Sequence, residues 1–392
     1  MLKIGLVLSK PPAYSETFFI SKIKGLQEGG HSVMLFVQKE DKEFSLCPVL
    51  IAPKVFKKNL LFQLGINILM VLKLLGYSKR VLKFIKLEKE ALRSNQQILK
   101  NIFNNSHILR ADIDWLHFGF ATMALQSEHV AKAIEAKMAV SFRGFDIVIY
   151  PVKHTNCYHL LWKNIDKVHT ISDYLIQIAY KLGMQKETLY DKITPAIDIQ
   201  KFNPIVKNQD FERNSIQFLT IARLHWIKGI NYTLEALAKI KEEGIDFTYT
   251  IVGDGVEYEN IAFAIYQLKL SNYVRLLGRK DATEIVELLK RSDVYLQYSL
   301  SEGFCNTVLE AQALGLLCIV SNAGGLQENI LHSETGWIVP KRNPKLLAKT
   351  IMDVIHLPLE EKQQISKNAQ ERIKKSFAIE QQQQEFVEFY GN

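Results

Sequence analysis

Cysteine is scarce in this chain. There are four, Cys47, Cys157, Cys305 and Cys318. None forms a CxxC pair and no histidine stands at zinc-ligand spacing from them, so neither a disulfide framework nor a structural zinc is expected, and a reducing compartment fits. Proline and glycine are also sparse, ten and 20 among 392 residues, which excludes collagen-like and Pro-rich linker architectures. Long apolar runs are missing. The most lipid-like stretch, Leu60 to Leu75, is interrupted by Gln63, Asn67 and Lys73 and falls short of the ~20 apolar residues a span requires. The five-residue apolar run at the start is too short for a signal peptide. A cytoplasmic protein without a transmembrane helix is therefore expected.

Acidic residues are missing from one segment in particular. Residues 53–110 hold twelve Lys or Arg and only two acids, Glu88 and Glu90. The whole chain carries a net charge of +8, so this segment accounts for the excess and the remainder is close to neutral. A basic chain can meet nucleic acid, an anionic membrane or phosphorylated substrates. No helix-turn-helix, zinc or RNP signature accompanies the charge, and no nucleic-acid partner is expected.

What is present is a mix of 47% hydrophobic and 23% charged residues, typical of a soluble globular protein, with length for two or three domains. Strands read at Ile4–Leu8, Ser32–Val37, 113–117, 138–142, 166–170 and 192–194, with helices at 16–28, 121–135 and 172–182. A polar, aperiodic stretch at 203–214 marks a linker. The alternation then restarts, with strands at 216–221, 247–252, 273–277, 293–297, 317–320 and 336–339 and helices between them. Residues 343–390 read as helical. Strands alternating with helices give parallel sheets covered on both faces. The expectation is two Rossmann-like doubly wound α/β domains, 1–202 and 215–377, facing each other across a cleft at the carboxyl ends of their strands.

Residues 53–110 interrupt the alternation and read as an inserted helical segment. It is either a packed helix pair with a solvated basic face or a cationic amphipathic surface lying on a membrane.

The most informative stretch is Ser299–Gln312, SLSEGFCNTVLEAQ. Glu302 and Glu310 are eight residues apart, just over two helical turns, so both can address one cleft. Gly303 permits close backbone approach, and the amides of Phe304 and Cys305 at a helix start suit an anion. A carboxylate accepts two hydrogen bonds and can grip a vicinal diol. The plain alternative is a capped helix with one solvated Glu. Arg223 follows the first strand of the second half, and Lys228-Gly229 opens the next helix, which suits a diphosphate or is an ordinary pair of surface cations. Gly253-Asp254-Gly255 and Arg279 end the next two strands at the same rim. The glycine pair is not a dinucleotide fingerprint, because the third glycine position is Tyr258.

On these residues the sequence resembles the retaining glycosyltransferases of family four, which have the GT-B fold. The E-x7-E pattern at Glu302 and Glu310 and the Arg223…Lys228-Gly229 pair carry the resemblance. Ser15-Glu16-Thr17-Phe18 and His117-Phe118-Gly119 are similar to the exopolysaccharide, colanic-acid-type branch. Val168 to Ser172 and Ile197-Asp198…Phe202 match the run into the interdomain hinge. The resemblance implies that Glu310 binds the ribose hydroxyls, and that Glu302 with the amides of Gly303, Phe304 and Cys305 holds the donor sugar. Arg223 and Lys228 would neutralise the diphosphate, and Gly253 and Arg279 would border the base. It places Ser15, Glu16, Thr17, His117, Arg143 and Asp146 on the acceptor or donor-sugar side. It also implies that the last helix, 378–392, packs back onto the first domain.

Ala222 and Ala196 stand where the family has glycine. Arg143 stands where it commonly has histidine, and a guanidinium cannot serve as a neutral acid or base.

The implied reaction moves a sugar from a nucleotide-diphosphate donor to a hydroxyl of a saccharide, lipid-linked in surface-polysaccharide synthesis. No metal or other cofactor is expected, since no DxD-like motif lies beside the site. The basic insert would hold the enzyme at the anionic inner face of a membrane. Two other classes remain: another Rossmann-type sugar-nucleotide enzyme, and a noncatalytic polyanion- or membrane-binding protein. For the first, an NAD-type epimerase would need an N-terminal GxGxxG and a phosphorylase a PLP-lysine motif, and the sequence has neither.

Overall fold

The computed structural model describes residues 1–12, 17–39, 41, 43–56, 60–202 and 215–391. Ser15, Glu16, Lys57, Lys58 and the linker expected at 203–214 lie outside the described residues. The chain divides into two compact units. One comprises Met1–Thr194 with Gln382–Asn392, the other Pro195–Gln381.

The first unit is built on a seven-stranded sheet. Its strands are β1 Lys3–Leu8, β2 Ser32–Val37, β3 Val49–Ile51, β4 Trp115–Phe118, β5 Lys137–Phe142, β6 Lys167–Thr170 and β7 Leu189–Lys192, in the order β3-β2-β1-β4-β5-β6-β7. Every pairing is parallel. The inner strands are covered on both faces, as a parallel sheet requires: β4 is buried throughout, and β5 from its second residue on. The strand order reverses between β1 and β4, the switch point of a doubly wound sheet.

The helix expected at 121–135 is instead a 3₁₀ turn, Ala121–Ala124, and a four-residue helix, Val130–Ala133. Leu125 is extended and Gln126 adopts φ 68°, so the chain breaks where neither glycine nor proline announces it.

The final helix, Ile379–Gly391, completes this unit's core. Phe386, Phe389 and Tyr390 are buried with Ile4, Leu6, Phe18 and Ile23. The Lys167 ammonium donates to the Phe389 carbonyl at 2.9 Å, and Gln382 Nε2 donates to the Thr194 carbonyl at 2.6 Å.

The inserted segment forms helices Leu60–Leu74, Ser78–Glu90 and Asn95–Leu109, the first two joined by a 3₁₀ turn at Leu75–Tyr77. The latter two are locked by a buried ionic cluster. Glu88, fully buried, accepts from Arg93 at 2.8 Å, Asn101 at 2.5 Å and His129 at 2.6 Å. Arg93 also reaches Glu128 at 2.7 Å. Burial alone would raise the Glu88 pKa, but His129, Arg93 and Asn101 hold it below the ordinary value. Part of the insert's positive charge therefore serves internal structure rather than a free basic face.

The second unit has a six-stranded sheet, again all parallel. Its strands are β8 Ile216–Ile221, β9 Phe247–Val252, β10 Val274–Leu276, β11 Val294–Gln297, β12 Leu317–Ser321 and β13 Trp337–Val339, in the order β10-β9-β8-β11-β12-β13. Strand positions agree closely with those read from the sequence. Helices Pro344–Ile355 and Leu359–Ser376 precede the last one.

Candidate functional site

The switch point of the second unit lies between β8 and β11; Arg223, Lys228 and Glu302 follow the carboxyl ends of these strands, and Gly253 and Arg279 follow those of β9 and β10. The turn after β9 is pressed flat against the turn after β8. Gly253 has φ +138°, and a Cβ there would stand 1.9 Å from the Ala222 carbonyl oxygen. Backbone bonds lace three strand ends together: Ala222 N to Val252 O at 2.9 Å, Leu224 N to Asp254 O at 2.9 Å and Gly253 N to Gly278 O at 2.8 Å. Gly253 is thus demanded by packing. Arg279, largely exposed, pairs with Asp254 at 3.3 Å.

Lys228 and Glu302 form the central contact. The ammonium lies 2.5 Å from Glu302 Oε2, and each side chain is 15% exposed. Burial alone would lower the Lys228 pKa, but the Glu302 carboxylate outweighs it and the net shift is upward. Gly229, at φ +61°, allows this turn to seat against the end of β11. A Cβ there would be 2.2 Å from the Tyr298 carbonyl oxygen. Arg223 is exposed and has no hydrogen-bond or ion-pair partner among the described residues. Its charge is felt at Lys228, whose pKa it pulls down.

Glu302 is held from behind by a row of polar side chains that composition alone did not single out. Ser299 Oγ donates to Glu302 Oε2 at 3.2 Å, Gln297 Nε2 donates to Ser299 Oγ at 2.8 Å, and the Tyr295 hydroxyl donates to Gln297 Oε1 at 3.0 Å. These are alternate residues on one face of β11 and its extension, all but fully buried. Tyr295 also receives the Ile221 amide at 3.4 Å at the end of β8. Polar residues at every second position of a buried strand were the available signal.

The helix Asn306–Ala313 follows with no side chain capping its N-terminus. Asn329 grips its approach, accepting from the Cys305 amide at 3.2 Å and donating to the Cys305 carbonyl at 2.9 Å. The Cys305 amide, expected to be free, is therefore engaged, and the amides of the first helical turn are the uncapped ones. Gly303, Phe304 and the Cys305 thiol are buried; the thiol, pushed up to about 12 by burial, is chemically inert at neutral pH. Glu302 and Glu310 both contribute to that rise, which sets the two carboxylates in one neighbourhood. Glu310 is half-buried. It has no hydrogen-bond or ion-pair partner among the described residues, and desolvation pushes its pKa up to about 7. Glu310, poorly solvated and unpartnered, can accept a diol, and the uncapped helix start and the Lys228 ammonium beside Glu302 can meet an anion.

In the first unit, Thr17 opens the helix Thr17–Glu28. His117, at the end of β4, is 1% exposed and both ring nitrogens are occupied. His169 Nε2 lies 2.9 Å from the Ile193 carbonyl, so it carries the proton and Nδ1 accepts from Ser141 Oγ at 2.8 Å. His117 Nε2 then donates to Ser141 at 2.8 Å, and its Nδ1 accepts from the Tyr390 hydroxyl at 2.6 Å and from Lys22 at 3.2 Å. His117 thus anchors the last helix rather than presenting a ring to a ligand.

Lys22 is buried without a carboxylate partner among the described residues. Desolvation and then Arg143 hold its pKa well below the usual 10.5. The Arg143 guanidinium lies over the Phe18 ring at 3.9 Å. Asp146 is buried and accepts the Arg143 and Ala121 amides, each at 3.1 Å, tying the loops after β4 and β5 together. Burial raises its pKa. Among the described residues no group of three or more His, Cys, Asp or Glu side chains converges as a metal site would.

Residues 202–372 match the family described as Glycosyl transferases group 1. The Escherichia coli K12 protein WcaL, named for colanic acid biosynthesis, is 25% identical over 96% of both chains. An Escherichia coli UDP-Gal:alpha-D-GlcNAc-diphosphoundecaprenol alpha-1,3-galactosyltransferase is 33% identical over 38% of this chain and 40% of its own. The solved structure of Anabaena Alr3699/HepE in complex with UDP superposes with a TM-score of 0.74 at 18% identity, covering all of both chains.

Proposed function

This chain carries a group 1 glycosyl transferase domain in a GT-B fold, and from that premise we propose that it is a retaining glycosyltransferase using a nucleotide-diphosphate sugar. Its acceptor is the hydroxyl of a lipid-linked saccharide in surface-polysaccharide synthesis. The observation that carries the reading is the Lys228–Glu302 pair beside exposed Arg223 and an uncapped helix start.

In the resting protein Lys228 is neutralised by Glu302. A diphosphate arriving between Arg223 and Lys228 draws the ammonium toward itself and frees Glu302 to accept from sugar hydroxyls. Departure of the nucleoside diphosphate builds negative charge where two cations and the helix dipole already stand, so the charge is stabilised without a metal. Glu310 takes the ribose diol, while Gly253 and Arg279 border the base. The family's scheme assigns Arg143, Ser15 and Glu16 to the sugar and acceptor side.

The acceptor class is supported by the relative whose name specifies a diphosphoundecaprenol-linked sugar and by the insert's charge. The protein works peripherally at the inner face of a membrane, attracted through residues 53–110 at ~1 kcal/mol per exposed cation near an anionic surface.

Removing one preorganised charge donor costs about 10²–10³ in rate, so Arg223→Ala and Lys228→Ala should each lose that much in transfer from a nucleotide sugar. Wild-type rates in both variants would refute the site. EDTA should leave transfer unchanged, and full loss on chelation would overturn the metal-free scheme.

A further inference from the structure

The first inserted helix turns a broad apolar face to solvent. Along Leu60–Leu74 the partly covered side carries Gln63, Ile66, Asn67, Met70 and the buried Leu74. Its two polar members turn inward: Gln63 Nε2 donates to Asn67 Oδ1 at 2.9 Å, and Gln63 Oε1 accepts the Phe56 amide at 2.7 Å. The solvent side carries Leu61, Phe62, Leu64, Ile68, Leu69, Val71 and Leu72, each more than half exposed, with Leu75 following in the next turn. A helix on a soluble domain turns polar residues to solvent, and an apolar patch of this extent needs an occupant.

We propose that Leu61–Leu75 inserts into the hydrocarbon of a lipid bilayer, so that apolar burial holds the attachment that charge assists. Three features choose lipid over a protein partner. No acid occurs between residues 53 and 87, which suits an anionic headgroup layer. Lys73 and Lys79 stand exposed at the C-terminal end of the apolar stretch, placed to reach outward while their stems stay apolar. Aromatic rings mark both ends, with Phe56 packed edge-on to Phe62 at 4.8 Å on one side and Tyr77 on the other, the positions taken by interfacial aromatics. By length and composition the helical run Leu61–Glu90 could cross a membrane. Phe84 and Glu88 in its second half are fully buried in the protein, however, so only the first half, ~22 Å long, is available to enter.

This inference deepens the membrane-side reading given above, and the test separates the two. The full chain is sedimented with vesicles of phosphatidylcholine alone and of phosphatidylcholine with phosphatidylglycerol. Salt is low or about 0.5 M, where the Debye length is ~4 Å. Insertion predicts binding to both vesicle types that survives salt. The exposed-side triple variant Leu64→Glu, Ile68→Glu, Leu72→Glu should bind at least tenfold more weakly with an unchanged thermal melt. Lys73→Gln with Lys79→Gln should leave binding to neutral vesicles intact. Binding to anionic vesicles alone, released by salt, would overturn insertion and leave the electrostatic reading standing. No binding under any condition would remove both membrane readings without touching the transferase assignment. A lipid-free dimer abolished by the triple variant would make a second copy of this chain the occupant and refute the proposal.

Discussion

Replacing Glu310 with glutamine separates its two effects, because the same desolvation that burdens the folded protein tunes the site. The ordinary glutamate value is 4.5 and burial pushes Glu310 up to about 7. Below pH ~4.5 the carboxyl is neutral in both folded and unfolded chains and costs nothing. Between 4.5 and 7 the unfolded chain ionises while the folded one resists, so the penalty grows. Above 7 it is complete. At ~1.36 kcal/mol per pH unit it amounts to about 3 kcal/mol, and to about 2–3 after allowing for partial solvation.

Glu310→Gln should therefore raise the melting temperature at pH 8 and have little effect near pH 5. Binding should respond in the opposite sense. If the ribose diol is gripped by the ionised carboxylate, the competent fraction rises from ~9% at pH 6 to ~91% at pH 8, about tenfold in affinity. The assay is calorimetric titration with the nucleotide sugar giving the largest thermal shift in a panel. Its diphosphate is a diester and does not itself titrate in this range. The glutamine variant should bind more weakly and show no such slope. A flat wild-type profile, or the same slope in the variant, would refute the role of Glu310.

Other expectations follow from contacts already described. Gly253→Ala forces a methyl toward the Ala222 carbonyl; nucleotide-sugar affinity should fall more than tenfold and the thermal midpoint should drop, and a variant with wild-type affinity would show that the turn is not packed as described. Arg93→Ala strands Glu88 in a buried site, a loss of about 3–5 kcal/mol visible as a lowered denaturant midpoint. Lys22 has a depressed folded pKa, so the unfolded chain binds more protons and stability should climb from neutral toward alkaline pH. Lys22→Met should raise stability at pH 7 and flatten that climb, read by melts across pH beside His117, His169, Tyr390 and Arg143.

The second unit was largely legible because its strands and helices alternate regularly and Gly253, Gly278, Gly315 and Gly336, each at positive φ, punctuate them. The glycosyltransferase motifs sit on those strand ends. Short elements and local breaks were less legible. β3 has only three residues, and the break at Gln126 depends on a left-handed backbone without a glycine. Least legible were contacts made across long sequence distances. The resemblance places His117 on the acceptor or donor-sugar side, and nothing nearby in sequence shows that Lys22, Ser141 and Tyr390 close around it. The basic segment looked uniformly cationic, yet Arg93 is spent on Glu88 and Glu128, and Gln63 and Asn67, which seemed to spoil an apolar helix, face inward. Periodicity shows which residues share a face; the direction of that face depends on what packs beneath it.

The final helix has a consequence for how the molecule is made. Phe386, Phe389 and Tyr390 belong to the first unit's core, but they are translated after every residue of the second unit. A chain emerging from the ribosome can assemble the strands of the first sheet early, yet Lys22 and His117 stay without Tyr390, and the surface around Phe18 and Leu26 stays bare. The second unit, whose residues 195–381 are contiguous, is complete first. Order of completion is thus the reverse of order of synthesis, and the nascent first unit carries an open apolar seam for as long as the second takes to be translated.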